Sequence, residues 1–306
     1  MLDKTFFYKK RNEIFISIII ITYNSSCFIL DTLESIKTQS FSNFEVIICD
    51  DCSSDNTIEL IQNWIEENKT GIQDIRLIVN NNNLGISANC NKGAKYARGK
   101  WIKFLAGDDI LLENSLHEVS EFTSKNKCNI FASNIIYFSN TKHIDYKNRS
   151  TLENENIFNN ITAKKQFENL LLKNSIPAPS VFLKNKLFQE LGGFDEKIKN
   201  MEDYPFWIKV TKQGYKIHLN TKELVGYRIN TNSVSNYGIN NLFNGFYQTE
   251  FKYRKEHLFK YYTLKQKFTF RYNYTIQKTF HILNINNKKY TTIYRLLLNL
   301  NLTKRL

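Results

Sequence analysis

The chain alternates short apolar runs with longer stretches in which apolar residues return every three or four positions. Phe15–Thr22 is dominated by isoleucine, the pattern of a strand buried on both faces. Across Cys27–Gln39, the residues Phe28, Ile29, Leu33 and Ile36 fall at helical spacing. Glu45–Cys49 predicts a second strand. A helix follows to Asn68, capped by Asp55 or Asn56, with Ile58, Ile61 and Ile65 on one face and Gly71 beyond its end. Asp74–Val79 predicts a third strand and Ile86–Ala97 a helix stopped near Gly99. Lys100–Leu105 predicts a fourth strand, running into Ala106, Gly107, Asp108 and Asp109. Much later, Phe206, Trp207 and Val210 mark a helix that opens near Asp203, tolerates Pro205 in its first turn and closes at Gly214.

Strands alternating with helices in this order predict an α/β fold with a mostly parallel sheet covered on both faces. Ligands of such sheets sit beyond the carboxyl ends of the strands. The polar groups there are Thr22-Tyr23-Asn24, Asp50-Asp51 and Asp108-Asp109. The turn after the first strand, Thr22 to Ser26, has neither the G-x-G-x-x-G of a dinucleotide site nor the G-x-x-x-x-G-K of a P-loop. That argues against hydride transfer and P-loop phosphoryl transfer. Carboxylates repel a pyrophosphate unless a hard divalent cation lies between, and Mg²⁺ or Mn²⁺ is commonly held by one or two carboxylates plus substrate phosphates. Asp108 and Asp109 suit that task. Asp51 is placed to accept hydrogen bonds from a base N–H or a hydroxyl. Turn and cap chemistry explains Ser53 to Asn56, but not two adjacent acids on the end of a buried strand.

Composition adds an appendage. The chain has 306 residues, 42% hydrophobic, enough for one large domain with or without an extension. Its net charge of +13 is uneven: residues 1–240 hold 29 Lys and Arg against 27 acids, whereas 241–306 hold 13 against only Glu250 and Glu256. The same tail carries 15 Phe and Tyr. The shift near 236–242 marks a boundary. The tail reads as a helical extension with a packed aromatic stripe and a basic solvated face, or as a segment lying on an anionic bilayer; nucleic-acid binding is the weakest reading. The run Ile14–Ile21 follows Lys4, Lys9, Lys10 and Arg11 but has no cleavage site after it, and no segment nears the roughly 20 apolar residues of a membrane span. The expectation is a cytoplasmic protein, peripheral at the inner membrane face where the tail takes its bilayer reading. Five cysteines at irregular spacing read as reduced thiols, and the Cys49–Cys52 pair lacks the second pair of a zinc site. The histidines, His117, His143, His218, His257 and His281, show no paired ligand spacing.

Several segments together resemble the inverting glycosyltransferases of family 2, with the GT-A fold, typified by bacterial capsule, O-antigen and lipooligosaccharide enzymes. They are Ser17–Asn24, Ser35–Phe41, Glu45–Asp55, Asn83–Gly85, Gly93–Trp101, Phe104–Asp109, Leu191–Glu196 and Glu202–Trp207, spanning about 14–230. The resemblance implies a nucleotide-sugar half at 1–115 and an acceptor and catalytic half at 116–238, ahead of the basic, aromatic helical extension that composition gives at 239–306. It implies that Asp51 binds the uracil of a UDP donor, that Thr22, Tyr23 and Asn24 line the same pocket, that Asp108 contacts ribose and shares the Mn²⁺ or Mg²⁺ with Asp109, and that Asp203 is the catalytic base, with Glu202 as its rival. On local sequence alone Asp203 reads first as a helix cap, and its position in the family pattern reverses that preference. The implied acceptor is a saccharide or lipid-linked saccharide of a surface polysaccharide. Ala106 departs from the family's Asp-x-Asp-Asp pattern and removes one carboxylate. Residues 134–173 are expected to hold acceptor loops, and Phe194 and Trp207 are either sugar-stacking or core aromatics. The alternatives are another nucleotide-sugar enzyme, disfavoured by the missing glycine-rich turn, and a non-catalytic scaffold of the same fold.

Overall fold

The computed structural model describes residues 14–68, 72, 74–139, 144, 148–150, 152, 156–158, 161–198, 200–229 and 245–283. Gly71, His143, the four cations before Ile14, the boundary expected near 236–242 and the last part of the tail lie outside the described residues. The expected opening is present: β1 (Ile16–Thr22), α1 (Ile29–Lys37), β2 (Phe44–Asp50), α2 (Thr57–Glu67), β3 (Ile75–Val79), α3 (Ile86–Tyr96) and β4 (Trp101–Ala106). Next come β5 (Ile110–Leu111), α4 (Ser115–Lys125), β6 (Ile130–Phe138), α5 (Ala163–Leu172), β7 (Val181–Lys184), α6 (Asn185–Glu190), α7 (Asp203–Lys212) and β8 (His218–Arg228). The extension contributes α8 (Gly245–Tyr253) and α9 (Leu264–Ile282), joined by a π turn over Arg254–Leu258 and a 3-10 turn. Residues 134–138 therefore finish a strand and 163–172 form a helix, so the span expected as acceptor loops is partly regular structure.

The strands form one sheet in the order β3-β2-β1-β4-β7-β6-β8-β5. The β3-β2-β1-β4 portion is parallel, β7 runs antiparallel to both neighbours, and β6 pairs with β8 in parallel. The two-residue β5, which follows directly on Asp109, closes the far edge against Val225 and Gly226. A strand from the middle third of the chain is thus stitched to one from the last third, and this pins the Asp108–Asp109 turn at the sheet's carboxyl-end rim.

The isoleucine run of β1 reflects two-sided burial. Ile16, Ile18 and Ile20 pack with Leu33, Val46 and Trp101 on one face; Ile19 packs with Ile47, Cys90 and Leu183 on the other. Each such side chain contributes about 1.5–3 kcal/mol when fully buried. Helix α3 approaches this sheet closely because of Gly93: a Cβ there would lie 2.4 Å from Cγ2 of Ile19. Tyr253, Leu258, Phe259 and Tyr262 of the extension join the same core as Tyr204 and Phe206. The aromatic stripe of the tail packs on the domain, as one of its readings required.

Candidate active site

The carboxyl ends of β1, β2 and β4 meet in one rim. Asp50 ends β2 fully buried, and its carboxylate accepts Thr22 Oγ1 at 2.7 Å, Ser53 N at 2.7 Å and Ser53 Oγ at 2.6 Å. Asp50 is therefore the girder of the 50–53 turn. Thr22, expected as a pocket wall, spends its hydroxyl on that girder and is 1% exposed. Tyr23 stands half exposed at the rim. Asn24 adopts φ 50° and ties the two loops: its Oδ1 accepts Ser54 N at 2.8 Å, and its N–H donates to Ser53 Oγ at 2.8 Å. Asn tolerates this left-handed backbone because its short amide bonds locally.

Asp51 is 3% exposed and sits in a cradle of donors. Oδ1 accepts Asn80 Nδ2 and Leu84 N, each at 2.8 Å, and Oδ2 accepts Gly85 N at 2.8 Å. Gly85, at φ 85° and ψ 160°, occupies a region open essentially to glycine, which lets consecutive N–H groups turn toward the carboxylate. Two carboxylate oxygens offer about four acceptor sites and three are used, so Oδ2 keeps capacity for one further N–H donor. Lys92 Nζ meets Asn80 Oδ1 at 2.6 Å and extends the network inward.

Gly107 brings the Asp108–Asp109 turn against this rim: a Cβ on it would lie 2.8 Å from Cγ2 of Thr22 and 3.1 Å from Ser25 Oγ. Asp109 is 2% exposed, and its Oδ1 accepts Arg228 N at 2.9 Å. Burial first, then the neighbouring Asp108, pushes its carboxyl well above the ordinary carboxylate range. Asp108 is less deeply buried. Two adjacent carboxyls, one held in a dry setting that disfavours its charge, fit a divalent cation that takes its remaining ligands from substrate and water. Ala106 is exposed and supplies no third acid, and among the described residues no group of three or more Asp, Glu, His or Cys converges.

Sequence reasoning missed the residue that holds this turn. Arg228 is buried at the end of β8. Its Nε donates to Asp108 O at 2.8 Å, its second terminal nitrogen to Asp31 Oδ2 at 2.7 Å, and its guanidinium lies 4.6 and 4.5 Å from the ring centroids of Phe28 and Phe138. A lone cation in the apolar run Leu224–Tyr227 was the available signal. Lys103, alone in apolar β4, is equally buried; it donates to the Pro179 carbonyl, and burial pushes its ammonium down to about 7 although Asp109 opposes the shift.

Asp203 opens α7. Its Oδ2 accepts Asn174 Nδ2 at 3.3 Å, and the buried Trp207 indole N–H faces it without closing a hydrogen bond. Burial raises its pKa, and burial plus Asp203 raise that of Glu202 to about 8. Burial chiefly pushes the Cys90 thiol of α3 up, and the negative charges of Glu202 and Asp51 add to the rise. Ser87 Oγ to Ile198 O at 3.4 Å and Asn91 Nδ2 to Phe194 O at 2.9 Å join α3 to the segment leading into α7. Phe194 and Trp207 are buried among Phe104, Phe188 and Phe206, so both are core aromatics and neither is presented for stacking on a sugar. Cys49 and Cys52 are free, and burial pushes the Cys49 thiol up to about 12, as packing rather than redox use requires.

A mixed sheet of this order, with acids on its carboxyl-end rim and helices on both faces, is the GT-A architecture of glycosyltransferases. The chain belongs to glycosyl transferase family 2, whose profile matches residues 17–191. Among characterised relatives, it is 29% identical over 227 residues to the Escherichia coli UDP-Glc:alpha-D-GlcNAc-diphosphoundecaprenol beta-1,3-glucosyltransferase WfgD, covering 73% of this chain and 81% of that one. It is 25% identical over 220 residues to the putative teichuronic acid biosynthesis glycosyltransferase TuaG of Bacillus subtilis, covering 72% and 81%. The fold superposes on S. aureus TarS 1-349 in complex with UDP-GlcNAc with a TM-score of 0.61, at 18% identity, over 94% of this chain and 80% of that one. It also resembles the Pyrobaculum calidifontis mannosyltransferase PcManGT in complex with GDP-Man and Mn²⁺, with a TM-score of 0.52 at 15% identity, over 94% and 70%.

Proposed function

We propose that this glycosyltransferase moves a sugar from a UDP donor to a saccharide or lipid-linked saccharide acceptor in surface-polysaccharide synthesis, inverting the anomeric centre. The observation that supports the reading is the Asp51 cradle and the Asp108–Asp109 turn on one rim, with α3, which opens at that cradle, hydrogen-bonded to the segment leading into α7. WfgD acts on a UDP-Glc donor, and the TarS complex holds UDP-GlcNAc, which supports UDP as the nucleotide.

Each residue has a task set by its surroundings. Asp51 Oδ2 accepts the uracil N–H with its remaining lone pair, while Tyr23 and Asn24 form the rim beside it and Thr22 fixes the floor through Asp50. Asp108 would contact the ribose, and Asp108 and Asp109 would hold Mn²⁺ or Mg²⁺, which when bound would supply positive charge for the departing diphosphate. Arg228 keeps that turn in place. Asp203 takes the proton of the acceptor hydroxyl as its oxygen bonds to the anomeric carbon. The bond to the diphosphate breaks on the opposite face, so configuration inverts. Both bond changes pass through one oxocarbenium-like transition state, as in glycoside hydrolysis.

The exposed face of α9 carries Leu264, Phe268 and Ile282 beside Lys265, Arg271 and Lys278, with no acid in the helix. This supports contact with an anionic membrane surface, where a lipid-linked acceptor would be met. Among the described residues no helix is long and apolar enough to cross a membrane. The deciding experiment incubates the full chain with a panel of nucleotide sugars and Mn²⁺ and follows nucleotide release and product mass. Turnover of UDP-sugars that stops with EDTA is expected; absence of release from every donor overturns the reading. Sedimentation with anionic but not neutral vesicles tests the membrane contact.

A further inference from the structure

The extension attaches to the domain through an apolar stripe. Tyr253, Leu258, Phe259 and Tyr262 already bury their rings and methyls against the domain. Arg254, in the middle of that stripe, is 1% exposed. Burying a guanidinium costs several kcal/mol unless its donors are all met in good geometry. Here they are met: Glu250, one turn back in α8, takes two, and the other two meet at one place where Tyr262 covers the end of a neighbouring helix. Nε donates to Glu250 Oε1 at 2.8 Å and a terminal nitrogen lies 2.7 Å from the same oxygen, while the other terminal nitrogen donates to Leu171 O at 2.7 Å and Tyr262 Oη at 2.8 Å. The guanidinium is stacked between the rings of Tyr204, at 4.6 Å, and Phe270, at 4.8 Å. Arg254 also begins the π turn, a wider winding found mostly where a side chain must be placed at a particular point.

That place is the carboxyl end of α5. The last carbonyls of a helix have no partner within it and carry its negative dipole end. Leu171 O is met by Arg254 and by the Tyr262 hydroxyl, and Leu170 O by the Tyr204 hydroxyl at 2.6 Å. Three donors thus fix the final turn of α5. Asn174, three residues past Leu171, donates to Asp203. Tyr204, against which Arg254 stacks, is the residue after Asp203. Both the partner of the Asp203 carboxyl and its own backbone are therefore held from the extension.

We propose that Arg254 is a positioning residue for Asp203, and that the C-terminal extension is part of the catalytic unit through this clasp. The inference rests on the reading of Asp203 as base. The guanidinium, 1% exposed and stacked between two rings, acts through Leu171, Asn174 and Tyr204 and touches no substrate. The test uses the full chain with Arg254→Lys, which keeps the charge but cannot serve Glu250, Leu171 O and Tyr262 together, and Tyr262→Phe, which removes one donor to Leu171 O and threatens folding less. Amide hydrogen exchange is compared over 171–176, 203–208 and, as a reference, 45–51. Released UDP from UDP-glucose and UDP-N-acetylglucosamine with Mn²⁺ gives kcat and KM. Arg254→Lys should speed exchange over 171–176 and 203–208 at least tenfold, leave 45–51 unchanged and lower kcat about tenfold with donor KM within twofold. Tyr262→Phe should move both readouts the same way by less. Unchanged exchange, or faster exchange with wild-type kcat, overturns the proposal. So does faster exchange everywhere with kcat and donor affinity falling together, which would make the clasp a support of the whole fold. If the wild-type chain releases no UDP, the assignment of donor and base fails instead, and the exchange comparison alone decides whether the extension holds Asn174 and Asp203.

Discussion

Asp51→Asn separates the two tasks of the donor cradle. The carboxylate accepts three N–H groups, from Asn80, Leu84 and Gly85, in a site that is 3% exposed. The amide keeps one oxygen, which serves the two donors on Oδ1, and turns an NH₂ toward the Gly85 N–H. One charge-assisted bond is lost, its buried donor is stranded at about 1–3 kcal/mol, and the other two weaken to neutral strength. The sum is roughly 2–4 kcal/mol of stability, enough to move a urea midpoint visibly in a protein of ordinary marginal stability. The second effect is on nucleotide binding. A charge-assisted bond to a uracil N–H contributes about 1.5–3 kcal/mol, so UDP affinity by calorimetry should fall about 10- to 100-fold. Cytosine has no hydrogen at that ring nitrogen. The wild-type chain should therefore prefer UDP to CDP, and the variant should narrow the gap. An Asp51→Asn protein with an unchanged urea midpoint and unchanged UDP affinity would refute both the cradle and the base contact.

Asp203→Asn should lower turnover about 10²- to 10⁴-fold with UDP affinity within twofold; near wild-type turnover would remove Asp203 from the chemistry. Asp109→Ala, or EDTA on the wild-type chain, should abolish the gain in UDP affinity on adding Mn²⁺, and calorimetry showing the same gain in the variant would remove it as a ligand. The pair Glu202 and Asp203 retains a proton that isolated carboxyls release, Glu202 losing its proton only near 8 rather than at 4.5. Turnover should therefore rise with pH toward about 8, while the stability linked to this proton, full below about 4.5, declines over the same window; Glu202→Gln should flatten that decline in denaturation midpoints. Gly99→Ala would place a Cβ 2.5 Å from Ser17 N and 2.7 Å from Ile16 C, backbone atoms of the central strand, and should lower stability by about 1–3 kcal/mol, read by thermal denaturation.

Local patterns carried the first hundred residues. The isoleucines of β1 and the spacing in α1, α2 and α3 specify element type because burial on two faces, or on one stripe, is a property of neighbouring positions. Strand ends follow from strand positions, so the Asp51 and Asp108–Asp109 rim was legible as soon as the strands were. A helical extension with a packed stripe was one of the readings that the basic, aromatic composition of the tail offered. What only the tertiary structure decided depends on contacts between segments distant along the chain. The role of Asp50 as girder and of Thr22 as its partner needed two strand ends side by side. Arg228 reaches Asp108 and Asp109 from 120 and 119 positions away, and Arg254 reaches Leu171 from 83. A buried cation looks like any other charged residue until the groups that satisfy it are in place. Phe194 and Trp207 went to the core for the same reason: whether an aromatic ring faces a substrate or its neighbours is set by what packs beside it, which periodicity along one segment does not encode.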